Sequence, residues 1–360
     1  MLGLSQDWIA PWEDGMRTSG GPKSYEWWYF DAHLEDGSSL VVTFFTKPSL
    51  ATWSKLSPQV SVELERPGHE KLELTIKSRR EDSEFSTDRC DVRIGESTFR
   101  DLGDRYEIHV VHPDLVIDVV LRAQVPAWRP KTGHFFFGAH DEHLFAWLPT
   151  VPQGTVTAMI TSRGTTAELN GIGYHDHNWG DATMMRLMNH WYWGRAQAGP
   201  YSVIASWLVA EKKYGDTEIP IFMLSKDGQI IADDATKASL DLFDVSPDRE
   251  SGKPVADRIV YTYHGDQEQY RVTFAREKTI ARILARNVDV PLLRIFVRLA
   301  RVDGAYLRFT GTVTVERIVN GTVVETQQDP GIWELTYFGR TRAPAGTVRP
   351  PRAPRELPHF

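Results

Sequence analysis

The segment GIGYHDHNWGD at 171–181 concentrates histidine, aspartate and aromatic side chains in one short stretch. If it is a strand, His175 and His177 point to one side of the sheet and Asp176 points to the other, because successive side chains alternate. Two histidines on one strand face can bind a metal ion when further ligands lie nearby. The candidate further ligands are Asp181, His190 and the HDEH run at 140–143. No other histidine or glutamate follows at a recognised spacing, so we expect no metal and predict that the histidines hydrogen-bond buried backbone at a domain junction.

Two carboxyl groups lie among aromatic residues. Glu26 precedes the run WWYF, and Asp176 lies between the two histidines. Burial among rings disfavours the charged form of a carboxyl, so its pKa would rise and it could donate a proton near neutral pH. Such an acid can start a reaction at a carbon–carbon double bond, and the faces of nearby rings can stabilise the resulting cation.

Two aromatic runs, EWWYF at 26–30 and HWYWGR at 190–195, could form the walls of a pocket. Alternate rings of a strand face opposite sides, which fits a wall between a cavity and packed surroundings. The alternative is that the rings fill the ends of two β barrels, with Arg195 stacked on a tryptophan in a structural role. The residues predicted to line or brace a pocket are Trp28, Tyr29, His175, His177, Trp179, Trp191, Trp193 and Arg195.

Alternation of apolar and polar residues over most of the chain predicts antiparallel strands. Asp-Gly and Asn-Gly pairs separate these runs, and such pairs favour the two-residue turns of β-hairpins. REKTIARILARN at 276–287 has apolar residues at helical spacing and could be one short helix, whereas LLRIFVRLAR at 292–301 stays undecided. The order aromatic cluster, glycine turn and apolar strand occurs in YEWWYFDAHLEDGSSLVVTFF and again in NHWYWGRAQAGPYSVIASWL, which indicates two related β domains.

The composition excludes several classes of protein. A net charge of −7 without a long basic run in the body of the chain is atypical of a nucleic-acid binder. The single cysteine, Cys90, excludes an internal disulfide, and its polar surroundings make it an incidental residue. No stretch approaches the roughly 20 apolar residues of a membrane helix, and the N-terminus lacks a secretory pattern. We therefore expect a soluble cytoplasmic protein whose partner is a large apolar small molecule.

Three motifs, EWWYFDAHLEDG, GIGYHDHNWGD and HWYWGRAQAGPYSVI, occur in this order and together resemble the hydroxyneurosporene synthase family. This family contains carotenoid hydratases, AttH-like proteins and the lipocalin-like Diels–Alderases of polyketide pathways. The resemblance covers roughly residues 20–340 and implies an all-β fold with two lipocalin-like antiparallel β-barrel domains. The predicted domains are 1–183 and 184–342, followed by a Pro/Arg-rich tail at 343–360.

Characterised members of this family act on large apolar molecules without a metal or a redox cofactor, so the resemblance implies no cofactor. The hydratases protonate a terminal isoprenoid double bond and add water, and the Diels–Alderases fold a linear polyene so that it cyclises. A histidine, a tryptophan, a tyrosine and an aspartate are implicated in the hydratases. By resemblance, His190 and either Trp191 or Trp193 match the first two, and Tyr201 and Asp176 are our choices for the others. The WYWGRA segment is more similar to the cyclase branch than to true carotenoid hydratases.

We predict a cofactor-independent enzyme that binds a large apolar isoprenoid or polyketide between two β barrels. It would promote cyclisation, isomerisation or hydration of a carbon–carbon double bond. The candidate catalytic residues are Asp176, His190, Tyr201 and Glu26. Two alternatives stay open, a non-catalytic carrier of lipid or pigment and a metal-dependent β-barrel enzyme. The sequence does not determine the ligand or the oligomeric state.

Overall fold

The structure is a computed structural model that describes residues 2–5, 8–48, 53–162, 164–285, 303–339 and 341, and these residues form an all-β fold. The all-β prediction is confirmed. The chain divides into two compact units, Met1–Met184 and Met185–Phe360. Among the described residues, no helix is long and apolar enough to cross a membrane.

Unit 1 is built on one antiparallel sheet that begins after a 3₁₀ turn at Pro11–Asp14, with a second such turn at Arg80–Asp82. Its strands are β1 (Tyr25–Leu34), β2 (Ser39–Phe45), β3 (Gln59–Glu65), β4 (Leu72–Lys77), β5 (Ser83–Phe85), β6 (Asp91–Ile94), β7 (Ser97–Asp101), β8 (Tyr106–His112), β9 (Leu115–Ala123), β10 (His134–Phe137), β11 (His143–Ser162) and β12 (Thr165–Gly180). The strand order is β4–β3–β2–β1–β12–β11–β9–β8–β7–β6–β5, and β10 pairs with β11.

The sheet of unit 1 is strongly curled. Phe44 on β2 and Phe99 on β7 are six strands apart in the order β2–β1–β12–β11–β9–β8–β7, which would separate them by about 29 Å in a flat sheet. Their ring centroids are only 5.7 Å apart. The inner face is therefore wrapped around one apolar core, to which Trp28 and Phe30 of β1 belong.

Unit 2 contains one larger sheet, a short two-stranded sheet and little helix. Its elements begin with a helical turn α1 (Met184–Leu187) at the unit boundary, and its 3₁₀ turns are Lys212–Tyr214 and Ala235–Lys237. The strands are β13 (Met188–Ala198), β14 (Tyr201–Ala210), β15 (Glu218–Lys226), β16 (Gln229–Ala232), β17 (Ala238–Phe243), β18 (Ser246–Pro247), β19 (Pro254–Val255), β20 (Arg258–His264), β21 (Glu268–Leu284), β22 (Ala305–Val319) and β23 (Thr322–Tyr337). The main order is β16–β15–β14–β13–β23–β22–β21–β20–β17, and β18 pairs with β19.

The main sheet of unit 2 is curled as well. Phe222 on β15 and Tyr263 on β20 are also six strands apart, yet their rings stack with centroids 5.5 Å apart. In both units, the hydrogen-bonded order of the described strands ends at two edge strands that do not pair with each other. Closure into two lipocalin-like barrels, and the domain limits given above, therefore stay predictions.

The helix predicted at 276–287 is wrong over its described part, because β21 continues as a strand to Leu284. Two register irregularities interrupt this strand, between Arg276 and Lys278 and between Thr279 and Ala281. Ile280 and Ile283 are exposed and Leu284 is buried, so the helical spacing of these three apolar residues does not correspond to one buried face. Both the undecided segment 292–301 and the predicted tail at 343–360 lie outside the described residues.

We expect Asp248→Asn to remove an acid-sensitive part of the stability of unit 2. Asp248 accepts hydrogen bonds from the backbone and hydroxyl of Ser251 and from Arg282 of β21. Burial alone would raise the pKa of Asp248, but these donors outweigh it and lower the pKa to about 2. A lowered carboxyl pKa stabilises the fold above the unfolded value of 3.8, and this contribution of roughly 2 kcal/mol is lost as the pH falls towards 2.

Urea unfolding at a series of pH values measures this effect. The free energy of unfolding of the wild type should exceed that of the Asp248→Asn variant at neutral pH, and the difference should disappear in strong acid. The exposed Asp241 on β17 provides the control, since Asp241→Asn should change stability little at any pH. A difference between wild type and Asp248→Asn that does not depend on pH would contradict the assignment.

Candidate active site

The two faces of β12 are those that the alternation predicts. His177 pairs with Trp28 and His175 pairs with Phe30, so both histidines lie on the inner face of the unit 1 sheet. Asp176 pairs with Tyr29 on the opposite, outer face. The histidines and the aspartate therefore belong to two separate sites on one strand.

Asp176 is held by three side-chain donors on the outer face. Its Oδ2 accepts hydrogen bonds from Nε1 of Trp147 and from the hydroxyl of Tyr174, both at 2.7 Å. Its Oδ1 accepts one from Nδ2 of Asn178 at 2.7 Å. With the carboxyl only 7% exposed, its position and orientation are fixed. We call Tyr29, Trp147, Tyr174, Asp176 and Asn178 the acid face.

Burial raises the pKa of Asp176 to about 6, even though the hydrogen bonds from Tyr174, Trp147 and Asn178 and the charge of His175 act to lower it. The carboxyl therefore retains a proton closer to neutral pH than an ordinary aspartate does. Among the described side chains, Oδ2 has two donors and Oδ1 has one. Oδ1 is thus the oxygen that has room for the proton.

Aromatic rings surround this carboxyl. The ring of Tyr29 packs edge-on against Tyr174 at 6.2 Å between centroids, and Trp128 packs edge-on against Trp147 at 6.3 Å. The hydroxyl of Tyr29 donates to Oδ2 of Asp31 at 3.2 Å, which orients this tyrosine. An acid among fixed rings is suited to apolar substrates and to cations that form from them.

A buried histidine cluster occupies the inner face. His175 donates from Nδ1 to the Tyr29 carbonyl at 2.8 Å, and its Nε2 lies 3.1 Å from Oδ2 of Asp14. Tyr106 donates to the same carboxyl oxygen at 2.9 Å. Burial acts to lower the pKa of His175, but the Asp14 carboxylate and the hydrogen bonds outweigh it and raise the pKa. Asp14 and His175 therefore form a buried ion pair.

The second histidine, His177, lies between two indoles. Its ring stacks on Trp28 with centroids 4.6 Å apart and contacts Trp179 at 4.7 Å. Its Nε2 donates to Oε1 of Glu26 at 2.9 Å. All four residues are buried, so Trp28 and Trp179 brace the histidine rather than present open ring faces.

Glu26 accepts four hydrogen bonds on the inner face. Besides His177, its donors are the backbone N–H of Arg17 at 2.5 Å and both the N–H at 2.9 Å and the hydroxyl at 2.7 Å of Thr18. A carboxylate whose two oxygens are each occupied by two donors is an acceptor that fastens the chain. This geometry favours a structural role for Glu26 over proton donation.

The predicted residues of unit 2 lie along β13. The ring of His190 stacks on Tyr337 at 4.7 Å, and its Nδ1 is 2.9 Å from Oδ1 of Asn189. Trp191 donates from Nε1 to Glu334 at 3.3 Å. Trp191, Trp193 and Arg195 alternate with the core residues of the strand and therefore share its other face.

Tyr201 lies at the opposite end of the same hairpin. It pairs with Ala198, whereas His190 pairs with Val209, which places the two residues about 26 Å apart along the strands. The Tyr201 hydroxyl donates to Glu325 at 2.8 Å, and burial raises its pKa. The fold does not bring His190 and Tyr201 together, just as it does not bring Glu26 and Asp176 together.

The ligand set considered for a metal is not assembled as the sequence suggested. Nδ1 of His143 lies 3.5 Å from the Asp181 carboxylate in a partly exposed pair. His175 and His177 instead hydrogen-bond to the Tyr29 carbonyl and to Glu26. Three other ligand atoms do converge: those of Asp14, Cys90 and His175 lie within 4.8 Å of one another, and all three residues are buried. These could hold a metal ion.

Sequence reasoning missed residues of both sites. Tyr174 and Asn178 stand two positions from Asp176 on the same strand face, so the alternation of β12 contained the signal for them. Trp147 belongs to β11 and reaches Asp176 only through strand pairing. Cys90 was predicted to be incidental, but it lies inside the histidine cluster. No local sequence pattern predicts that Trp147 and Cys90 belong to these sites.

Comparison with known proteins supports the resemblance seen in the motifs. Residues 122–276 match the family model described as Diels-Alderase-like. Over 208 residues the chain is 27% identical to a protein named hydroxyneurosporene dehydrogenase from Chlorobaculum tepidum, covering 48% of this chain and 54% of that one. Over 125 residues it is 28% identical to a Diels-Alderase of Penicillium oxalicum, covering 34% of this chain and 28% of that one. These matches span about half or less of each relative.

One solved structure similar to this chain is that of CghA, crystallised with Sch210972. It has a TM-score of 0.62 at 16% identity, and the alignment covers 93% of this chain and 97% of that one. At this identity the likeness shows a shared fold. The predicted similarity to hydroxyneurosporene-type and Diels-Alderase-like proteins is confirmed by these matches.

Proposed function

We propose that this protein is an enzyme that binds a large apolar isoprenoid or polyketide against the acid face and promotes cyclisation, isomerisation or hydration of a carbon–carbon double bond. One observation carries the proposal: a nearly buried carboxyl, Asp176, is fixed by three side-chain donors among aromatic rings. The names of the relatives support this class of chemistry. The proposed reaction uses no redox cofactor.

For hydration or isomerisation, Asp176 acts as general acid. The proton on Oδ1 is transferred to one alkene carbon, and the other carbon becomes a cation that faces the rings of Tyr29 and Tyr174. Water then adds to the cation and returns a proton to the carboxylate, which completes hydration. Loss of a different proton from the cation gives the isomer instead. Both courses regenerate the acid.

For cyclisation of a polyene, the same carboxyl acts without full proton transfer. A hydrogen bond from Oδ1 to a substrate carbonyl withdraws electrons from the conjugated double bond. Rigid rings around the acid select the folded conformer in which the reacting carbons are close. Because Trp147, Tyr174 and Asn178 already fix the carboxyl, little reorganisation is needed when the substrate reacts.

The other predicted residues take different roles in this proposal. Glu26, His175 and His177 brace β12 from the inner face, together with Trp28 and Trp179. Trp191, Trp193 and Arg195 share one face of β13, which is proposed as an aromatic surface of unit 2. His190 and Tyr201 have no assigned step, since each is committed to contacts within unit 2.

Turnover of defined substrates tests the proposal. The purified protein is incubated with neurosporene, which has terminal isoprenoid double bonds, and with a synthetic linear polyene that carries an activated alkene. Products are followed by liquid chromatography and mass spectrometry. We expect conversion of at least one probe, to a product of equal mass after cyclisation or isomerisation, or heavier by one water after hydration. Tight binding with no conversion would instead identify a carrier and contradict the enzyme.

A further inference from the structure

Two polar atoms of the histidine cluster have no hydrogen-bond partner among the described residues. They are Oδ1 of Asp14 and Nδ1 of His177, and they lie 3.5 Å apart. Both side chains are at least nine-tenths buried. Buried polar atoms are nearly always satisfied, so a pair of unsatisfied atoms that face each other indicates a missing partner.

The spacing of the cluster suits a metal ion as that partner. The ligand atoms of Asp14, Cys90 and His175 all lie within 4.8 Å of one another, and Nδ1 of His177 is 3.5 Å from the same aspartate. Tetrahedral zinc, with bonds of about 2.0–2.3 Å, separates its ligand atoms by roughly 3.3–3.7 Å. Asp14, Cys90 and His175 lie near these separations, and His177, which is outside this group of three, has to move towards the ion to become the fourth ligand.

Both histidines are oriented as metal ligands usually are. A ligating histidine commonly donates its other ring N–H to a carbonyl or a carboxylate, which fixes the nitrogen that binds the metal. His175 donates from Nδ1 to the Tyr29 carbonyl at 2.8 Å, which directs Nε2 to the cluster. His177 donates from Nε2 to Glu26 at 2.9 Å, which directs Nδ1 to the cluster.

We propose that Asp14, Cys90, His175 and His177 bind one Zn²⁺ ion inside unit 1. One thiolate, two neutral imidazoles and one carboxylate are ligands that zinc accepts, and the two anionic ligands balance its charge in a buried site. Binding of Cys90 as a thiolate releases the thiol proton. Four protein ligands leave no open position, so the ion is structural and fastens the turn at Pro11–Asp14 to β12.

The zinc site and the acid face lie on opposite faces of β12. Metal binding and turnover are measured separately, so the two proposals fail separately.

Cobalt substitution tests this site, because the chain contains one cysteine. A thiolate-to-cobalt charge-transfer band can therefore arise only from Cys90. Protein stripped with a chelator is titrated with Co²⁺ and then with Zn²⁺. We expect one equivalent of Co²⁺ to produce this band together with tetrahedral visible bands, and one equivalent of Zn²⁺ to remove them and raise the melting temperature.

Three variants complete the experiment. The nearly isosteric Cys90→Ser should lose the charge-transfer band, and Glu26→Ala should weaken zinc binding about 10–100-fold through loss of the acceptor that orients His177. The control is His143→Ala, which removes the partly exposed histidine beside Asp181 and should leave the band unchanged. Any one of three results would overturn the proposal. They are cobalt binding without the charge-transfer band, no binding of either metal, and loss of the band in His143→Ala but not in Cys90→Ser.

Discussion

Replacing Asp176 with asparagine is expected to reduce turnover by at least about 100-fold while the protein remains folded, because general acid catalysis contributes 10²–10⁴-fold. The amide can fit the same space. Its oxygen can accept the hydrogen bonds of Trp147 and Tyr174 in place of Oδ2, and the Asn178 amide can turn to accept from the new NH₂ group. Initial rates by mass spectrometry, ligand affinity by tryptophan fluorescence and circular dichroism measure chemistry, binding and folding separately.

The control for this variant is Asp181→Asn, which changes an exposed carboxyl near the end of the same strand. Its rate should equal that of the wild type. The wild-type rate should also fall as the pH rises through about 6, because only the protonated form of Asp176 donates. A folded Asp176→Asn protein with full activity contradicts the role of this acid, and an unfolded one identifies Asp176 as a structural clamp.

The second large effect concerns stability. Asp14→Ala, studied in the presence of a chelator, should lower the free energy of unfolding by about 3–5 kcal/mol, which is typical when one partner of a buried ion pair is removed. The substitution leaves a buried His175 without its counter-ion and the Tyr106 hydroxyl without its acceptor. Urea unfolding monitored by tryptophan fluorescence gives the value.

An exposed pair of the same chemical type provides the reference. His109 and Asp118 are 2.7 Å apart with side chains 41% and 52% exposed. Exposed pairs contribute about 0–1 kcal/mol, so Asp118→Ala should have a small effect. If Asp14→Ala lowers the free energy of unfolding no more than Asp118→Ala does, the pair of Asp14 and His175 does not stabilise unit 1.

Local patterns in the sequence predict the strands and their faces well. The alternation of β12 correctly separates His175 and His177 from Asp176, since the period of a strand depends only on chain geometry. The turn at Asn320-Gly321 is equally predictable. Both residues have positive φ angles, of 50° and 76°, as the two-residue hairpin turn requires.

Roles that depend on distant parts of the chain could not be predicted. From the sequence, Glu26 was predicted to be an acid among aromatic residues. In the structure the backbone N–H groups of Arg17 and Thr18 donate hydrogen bonds to Glu26, so it is an acceptor. Trp147 reaches Asp176 because β11 pairs with β12, and no motif near either residue records that pairing. The order of strands depends on the whole sheet, and this order determines which side chains come into contact. Local motifs therefore do not predict such contacts.

The protonation of Asp176 in the folded protein tests the central claim most directly, since proton transfer and carbonyl polarisation both need that proton. Infrared difference spectra over a pH series, recorded for the wild type and Asp176→Asn, isolate the carbonyl band of this one carboxylic acid. We predict a band that is present in the wild type only and titrates with a midpoint near pH 6. A midpoint close to the ordinary value of 3.8 would mean that the acid face does not supply an acid.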